Sequence, residues 1–219
     1  MNEAKGDSKR NVASWFKTHW QMLLNVYLFI NIGGWVAWRT YETWARGAMG
    51  YVEAAFTIQS VIFLVLIMSR RPHRAVDRNV FHQAIALVAF FSGLAFLGQT
   101  STGGAGVQTA SRAVILVAHV LGALCLLNLG RSFGILIALR DIKTQGVYGL
   151  VRHPMYVTDI LLRVGFIISH LNWLTSTLVV ISSACYVYRA ILEENFLAQQ
   201  PEYREYMKEV KYRFVPFVV

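Results

Sequence analysis

The chain is poor in charge and poorer still in cysteine and proline. Of its 219 residues only 15% are charged, two are Cys and four are Pro. Two cysteines exclude a disulfide framework, and Cys125 and Cys185 both fall inside long apolar runs, where a thiol behaves as a small hydrophobe. No His-x-x-x-His or Cys-x-x-Cys spacing occurs, so no metal site of the common types is expected. Acidic residues number 12 against 21 basic ones, a formal charge of +9. No basic face interleaved with exposed aromatics stands on a soluble segment, so no nucleic-acid partner is expected. Attraction to anionic membrane lipids accounts for the charge instead. The run Gly103-Gly104-Ala105-Gly106 lacks the Lys-Ser/Thr and the strand–helix frame of a phosphate loop, and reads as a flexible loop.

What the chain has in excess is apolar sequence. It is 55% hydrophobic with mean hydropathy +0.43, outside the range of ordinary soluble domains. Apolar runs read as spans at 21–38, 52–68, 80–98, 113–130, 156–171 and 173–188. A helix needs about 20 apolar residues to cross ~30 Å of hydrocarbon. The first four runs meet or approach that length. The last two are shorter and part only at Ser169-His170-Leu171-Asn172, the pattern of a tight hairpin. Alternate connections carry 17 Lys and Arg against 3, which by the positive-inside rule places both termini and both even-numbered loops in the cytoplasm. The expected fold is an all-α polytopic membrane protein of about six transmembrane helices. It divides into a cytoplasmic segment, 1–19, a four-span scaffold, 20–130, and a C-terminal core, 131–219. The segment Met1 to Trp20 has no cleavable signal pattern, so the first span is expected to stay as an anchor. Trp15, Trp20, Trp35, Trp38, Trp44 and Trp173 stand near span ends, as interfacial aromatics do. His82 and His119 lie within spans and read as interhelical hydrogen-bonders.

Chemistry-bearing residues gather late in the chain. Tyr148, Arg152, His153, Pro154 and Tyr156 form one cluster between apolar runs, and Arg189, Glu193 and Glu194 form another at the end of the last run. Pro154 suits the first turn of the following helix, where its missing N–H costs nothing. Asp159 and Arg163 are spaced i, i+4 inside an apolar segment, where each ionisable group costs roughly 2.5–3.5 kcal/mol and so marks a functional interior. They can pair with each other, as can Arg189 and Glu193 at the same spacing. Used separately, a carboxylate would take hydroxyls or an amino group of a nucleoside-like ligand, and a guanidinium would hold an anionic headgroup. After a break at Gln199-Gln200, Pro201 opens a second helical piece whose Tyr203, Tyr206, Met207 and Val210 recur at helical spacing.

Gly-Val-Tyr-x-x-x-Arg-His-Pro-x-Tyr, then Arg-x-x-x-Glu-Glu-x-x-Leu, then Glu-Tyr-x-x-Tyr and a closing Arg213-Phe214-Val215-Pro216-Phe217 resemble the isoprenylcysteine carboxyl methyltransferase family. That family is grouped with the phospholipid methyltransferases among integral-membrane methyltransferases. The resemblance covers about residues 129–217. It implies S-adenosylmethionine as methyl donor, with S-adenosylhomocysteine as product, in a cytoplasmic pocket built by the last spans and the tail. Carried over position by position, Tyr148, His153, Pro154, Met155, Tyr156 and Glu193 would contact the cofactor, with Ile142 and Lys143 adding backbone contacts. Arg189 would face a lipophilic acceptor; Asp159 and Arg163, marked by their charge inside an apolar segment and not by the resemblance, are the further substrate-side candidates. Thr158 and Pro201 depart from the glycines usual in the family at those places, which bears on the acceptor more than on the donor.

Methyl transfer from a sulfonium is an in-line displacement, so positioning is much of the catalysis, and tyrosine faces stabilise a sulfonium by cation–π attraction. The first acceptor expected is a carboxylate on an isoprenylcysteine-like or other lipid-like molecule, which needs no base. An amino-phospholipid is the alternative; its amine would need deprotonation, by Glu194 or His153. A non-catalytic scaffold or transport subunit that keeps the fold, and a sterol-reductase-like protein using a nicotinamide cofactor, are the readings from other classes.

Overall fold

The computed structural model describes residues 2–96 and 101–217, with side chains from His19 onward. The expectation for Trp15, the side chains of the basic residues before it, and the end of the third apolar run fall outside those residues. Seven helices account for most of the chain: α1 (Asn2–Ala45), α2 (Tyr51–Ser69), α3 (Val80–Phe91), α4 (Ala105–Leu129), α5 (Pro154–Ser169), α6 (Trp173–Leu197) and α7 (Pro201–Glu209). Two short strands, β1 (Ala75–Val76) and β2 (Ala138–Leu139), pair antiparallel.

Three of these segments are long and apolar enough to cross a membrane: Tyr51–Ser69, Ala105–Ser132 and Trp173–Leu197. The third apolar run is split into α3 and a 3-10 turn, Ser92–Phe96, and α5 has 16 residues; neither reaches spanning length as one straight helix. Large apolar side chains point outward along the bundle, among them Ile30, Ile58, Leu127 and Val180, each 60% exposed or more. A surface apolar at these positions is stable against lipid and unstable against water.

Local sequence sets the helix ends. The Asn79 side chain accepts from Phe81 and His82 N–H at the start of α3, and Asn172 caps α6 by accepting from Thr175 N–H. Pro154 and Pro201 occupy the first turns of α5 and α7. Gly130 ends α4 with φ 55, the left-handed turn that favours glycine. The expected hairpin falls at His170–Asn172, where α5 turns into α6.

Packing follows small residues. A Cβ on Gly165 of α5 would meet Ile115 of α4 at 2.8 Å, so α5 lies tight on α4, where Ser111 Oγ donates to the Gly165 carbonyl at 2.7 Å. Leu28, Leu66, Ile67, Leu126, Phe133 and Ile135 form a core where α1, α2 and α4 meet the segment after α4. That segment is pinned across the end of the bundle. Arg71, Arg74 and Asp77 N–H groups donate to the Arg131, Leu139 and Ile137 carbonyls, and Arg71 and Arg74 both pair with Asp141. The chain after α7 returns to the same end, where Arg152 and His153 N–H groups donate to the Tyr212 and Arg213 carbonyls at 2.9 Å. All the motif residues are thereby brought together.

Candidate active site

A cavity of about 350 Å³ runs from this end into the bundle, within the size range of small-molecule sites. Its polar end is walled by the segment before α5, the first turns of α5, the end of α6 and α7. Its deeper arm is walled by Ile32, Trp35 and Val36 of α1, Phe56, Gln59 and Phe63 of α2, Phe90 of α3, and His119 and Leu126 of α4. One hollow therefore joins the charged motif cluster to a mostly apolar channel that carries one hydrogen-bonded polar pair, His119 and Gln59.

Tyr156 sits at the junction. Its ring stacks on His153 with centroids 5.2 Å apart and planes 9° apart, and the Arg189 guanidinium lies 5.2 Å from its centroid. With those neighbours, Tyr156 acts through its hydroxyl, which donates to Glu193 Oε2. Tyr148 is buried in the 3-10 turn Gly146–Gly149 beside α4, and its carbonyl accepts from the Tyr206 hydroxyl at 2.7 Å. Burial pushes the Tyr148, Tyr203 and Tyr206 phenols up, so all three stay neutral hydrogen-bond donors near pH 7. Gly146, at φ 62, lies against the Asn128 side chain, where a Cβ would collide. Only glycine lets this turn close on α4.

Glu194 has a different role from its neighbour Glu193. Its Oε1 accepts from Arg152 Nε at 2.8 Å and from His153 Nε2 at 3.0 Å, and its Oε2 accepts from Arg213 Nη2 at 2.7 Å. The Glu194 side chain is 3% exposed. Arg152 also donates through Nη1 to the Val210 and Lys211 carbonyls. Hydrogen bonding to Glu194 holds the Arg213 guanidinium above its ordinary range. This buried ion cluster fastens the tail over the polar end of the cavity. Glu194 itself is absent from the cavity wall, so the geometry gives it a clasping role where sequence reasoning had offered a base.

Among the residues singled out from sequence, Ile142, Lys143, Tyr148, His153, Met155, Tyr156, Asp159, Arg189 and Glu193 line the cavity. Pro154, Arg163 and Glu194 stand behind it. Arg163 and Asp159 do not meet as a simple side-chain pair. Arg163 donates to the Asp159 carbonyl, to Ser182 and to Ser92, and lies 4.7 Å from the Tyr186 centroid. Arg189 likewise turns from Glu193 to backbone, donating to the Ala86 carbonyl at 3.1 Å and the Ile135 carbonyl at 2.6 Å. Its Nε is buried without a hydrogen-bond partner.

Sequence reasoning did not single out Arg140, Tyr186, Tyr203 or Tyr206 as site residues, and all four line the cavity. The pair Tyr203/Tyr206 was visible in the Glu-Tyr-x-x-Tyr spacing. Arg140 gave no signal beyond a cytoplasmic-side charge. Among the described residues no group of three His, Cys, Asp or Glu side chains could hold a metal ion.

An apolar bundle of this kind, with three helices long and apolar enough to cross a membrane among the described residues, is that of a membrane-associated protein. Residues 114–203 match the model of the phospholipid methyltransferase family. That family is one of the integral-membrane methyltransferase superfamily, to which the isoprenylcysteine carboxyl methyltransferases also belong. The match runs from α4 to Tyr203 and so covers most of the motif cluster, leaving α1 to α3 outside it. No curated protein matches the chain.

Proposed function

We propose that the protein transfers a methyl group from S-adenosylmethionine to a lipophilic acceptor at the cytoplasmic face of a membrane. The single observation that supports this is the continuity of the cavity between the Tyr148/His153/Tyr156/Glu193 cluster and the apolar arm between α1, α2 and α4. The donor set fits a nucleoside-bearing cation. Glu193 offers a carboxylate to ribose hydroxyls or an amino group, Tyr148, Tyr203 and Tyr206 add buried hydroxyls and rings, and Met155 and Ile142 add apolar wall. When bound, S-adenosylmethionine supplies an electrophilic methyl on a sulfonium. The protein's own part is to hold the acceptor in line and keep water out. Expected first is measurable binding of S-adenosylhomocysteine to the purified protein by calorimetry; absence of any heat would leave the scaffold reading.

For the acceptor, the geometry supports an amine on an amphiphile best. The Arg189 guanidinium, the group expected to take a carboxylate, is tied to carbonyls, while the carboxylates Asp159 and Glu193 both line the cavity. Either could take the proton that an ammonium must lose before it can attack. A carboxyl acceptor is the second reading, favoured by the closing motifs of the sequence. Treating the labelled product with mild alkali separates the two. A methyl ester releases labelled methanol, whereas an N-methyl product keeps its label in the lipid, as expected here.

The proposed arrangement has six membrane-embedded segments with both termini and residues 131–155 on the cytoplasmic side, from the 17 to 3 split of basic residues. A Gln145→Cys variant in sealed vesicles should be labelled by an impermeant maleimide only from the cytoplasmic face. Labelling from the outer face overturns the orientation and moves the site away from cytosolic S-adenosylmethionine.

A further inference from the structure

Arg140 is a buried guanidinium at the cavity whose hydrogen-bonding capacity is left largely unused. It follows β2, is 7% exposed and lines the cavity wall. Its Nε donates to the Arg71 carbonyl at 3.1 Å, and among the described residues neither Nη1 nor Nη2 finds an acceptor. The other arginines around the site are engaged at their terminal nitrogens: Arg152 and Arg213 by the tail clasp, Arg163 by Ser92 and a carbonyl, Arg189 by carbonyls. Both idle nitrogens remain accessible from the cavity, where an anion can reach them.

The surroundings point to what that is. Gly134 makes room for the group, since a Cβ there would collide with Nη1 and stand 3.2 Å from Cζ. Arg70 is buried nearby, pushed down to about 10 by burial and by the charge of Arg140, and Lys143 lines the same cavity. Of the acidic groups in reach, Asp141 is held by Arg71 and Arg74, and Glu193, whose charge favours the Arg140 cation, makes no hydrogen bond to it. A locally positive wall with two adjacent NH2 groups open to a cavity matches paired oxygens. It repels an amine and gains nothing from an alkyl chain.

We propose that Arg140 is the oxyanion seat of the cavity, taking two oxygens of a carboxylate or phosphate carried by one of the two reactants. This rests on the reading that the cavity holds S-adenosylmethionine beside an amphiphile, and it deepens that reading. The oxyanion has two possible bearers, the donor's carboxylate and the acceptor's headgroup. In the second case a zwitterionic lipid would place its phosphate on Arg140 and its amine toward Asp159 and Glu193.

The test compares wild type, Arg140→Gln and Arg140→Lys as full-length protein, each with its thermal unfolding recorded. Calorimetry is run with S-adenosylhomocysteine, its decarboxylated analogue, dodecyl phosphate and dodecan-1-ol. If Arg140 holds the donor, Arg140→Gln weakens S-adenosylhomocysteine by about 10-fold or more and leaves the decarboxylated analogue unchanged. If it holds the acceptor, wild type prefers dodecyl phosphate to dodecan-1-ol, Arg140→Gln abolishes that preference, and S-adenosylhomocysteine is unaffected. Arg140→Lys should fall between, keeping the charge but not the paired donors, and it decides the matter if the Gln variant does not fold. A folded Arg140→Gln that binds every probe as wild type does, within about 2-fold, overturns the seat. Failure of wild type to bind S-adenosylhomocysteine counts against the methyltransferase reading instead, and the dodecyl phosphate comparison still judges Arg140.

Discussion

Replacing Glu194 by Ala should destabilise the protein by about 3–5 kcal/mol, the usual cost of removing one partner from a buried ion pair. The cost comes from what is left behind. Arg152 and His153 have side chains 9% and 7% exposed, and without the carboxylate both stay buried beside Arg213 with no anion. The Arg152 donations to the Val210 and Lys211 carbonyls would then hold the tail alone. Thermal unfolding in detergent should move down markedly, and limited proteolysis should cut near Lys211 and Arg213 faster than in wild type. Glu194→Gln should be milder, since the amide oxygen still accepts from one guanidinium. The experiment also separates the two roles open to Glu194. A catalytic base would lose turnover with stability intact, whereas a clasp loses both together. Unchanged unfolding and proteolysis in Glu194→Ala would show that the tail is held by other means.

Much of this architecture was legible because lipid imposes a simple rule on sequence. Apolar runs near 20 residues, a break at 169–172 and Pro201 after Gln199-Gln200 located α2, the end of α4, the α5–α6 hairpin and α7 within a few residues. The start of α4 lies earlier than its apolar run, at Ala105, so that Ala105 and Gly106 of the expected flexible loop are in its first turn and Gly104 is its cap. The third apolar run was less readable, because hydropathy does not register a change from α-helical to 3-10 geometry at Ser92. The clustering of Tyr148, His153, Tyr156 and Glu193 was foreshadowed by motif and resemblance. Partner choice was not. Arg189 and Glu193 share a helical face, and spacing alone pairs them. In the fold, the Tyr156 hydroxyl claims Glu193 while carbonyls of residues 86 and 135 claim Arg189. Backbone acceptors exposed by an irregular segment leave no trace in side-chain patterning. Arg140 was hidden for a related reason. In sequence it is one more cytoplasmic-side charge, and its burial depends on Gly134 and on a strand pairing of only two residues a side.

Glu193→Ala should leave the fold nearly intact and weaken S-adenosylhomocysteine binding by roughly 10- to 100-fold, the loss of about 1.5–3 kcal/mol expected for a hydrogen bond to a charged group. Its partner within the protein is the Tyr156 hydroxyl, and it borders the cavity instead of the buried clasp, so its removal breaks no hydrogen-bonded ion pair of the kind Glu194 makes. Two further variants sharpen the reading. Tyr156→Phe removes the hydroxyl while keeping the ring between His153 and Arg189. If Tyr156 serves mainly to orient the Glu193 carboxylate, the Phe variant should lose less affinity than Glu193→Ala, and the double variant should lose no more than Glu193→Ala alone. Additive losses would mean that the hydroxyl and the carboxylate contact the ligand independently. Calorimetry on the four proteins measures this directly. A Glu193→Ala protein with wild-type unfolding and wild-type affinity for S-adenosylhomocysteine would remove Glu193 from the donor site and leave Asp141, already held by Arg71 and Arg74, as the carboxylate at that end of the cavity.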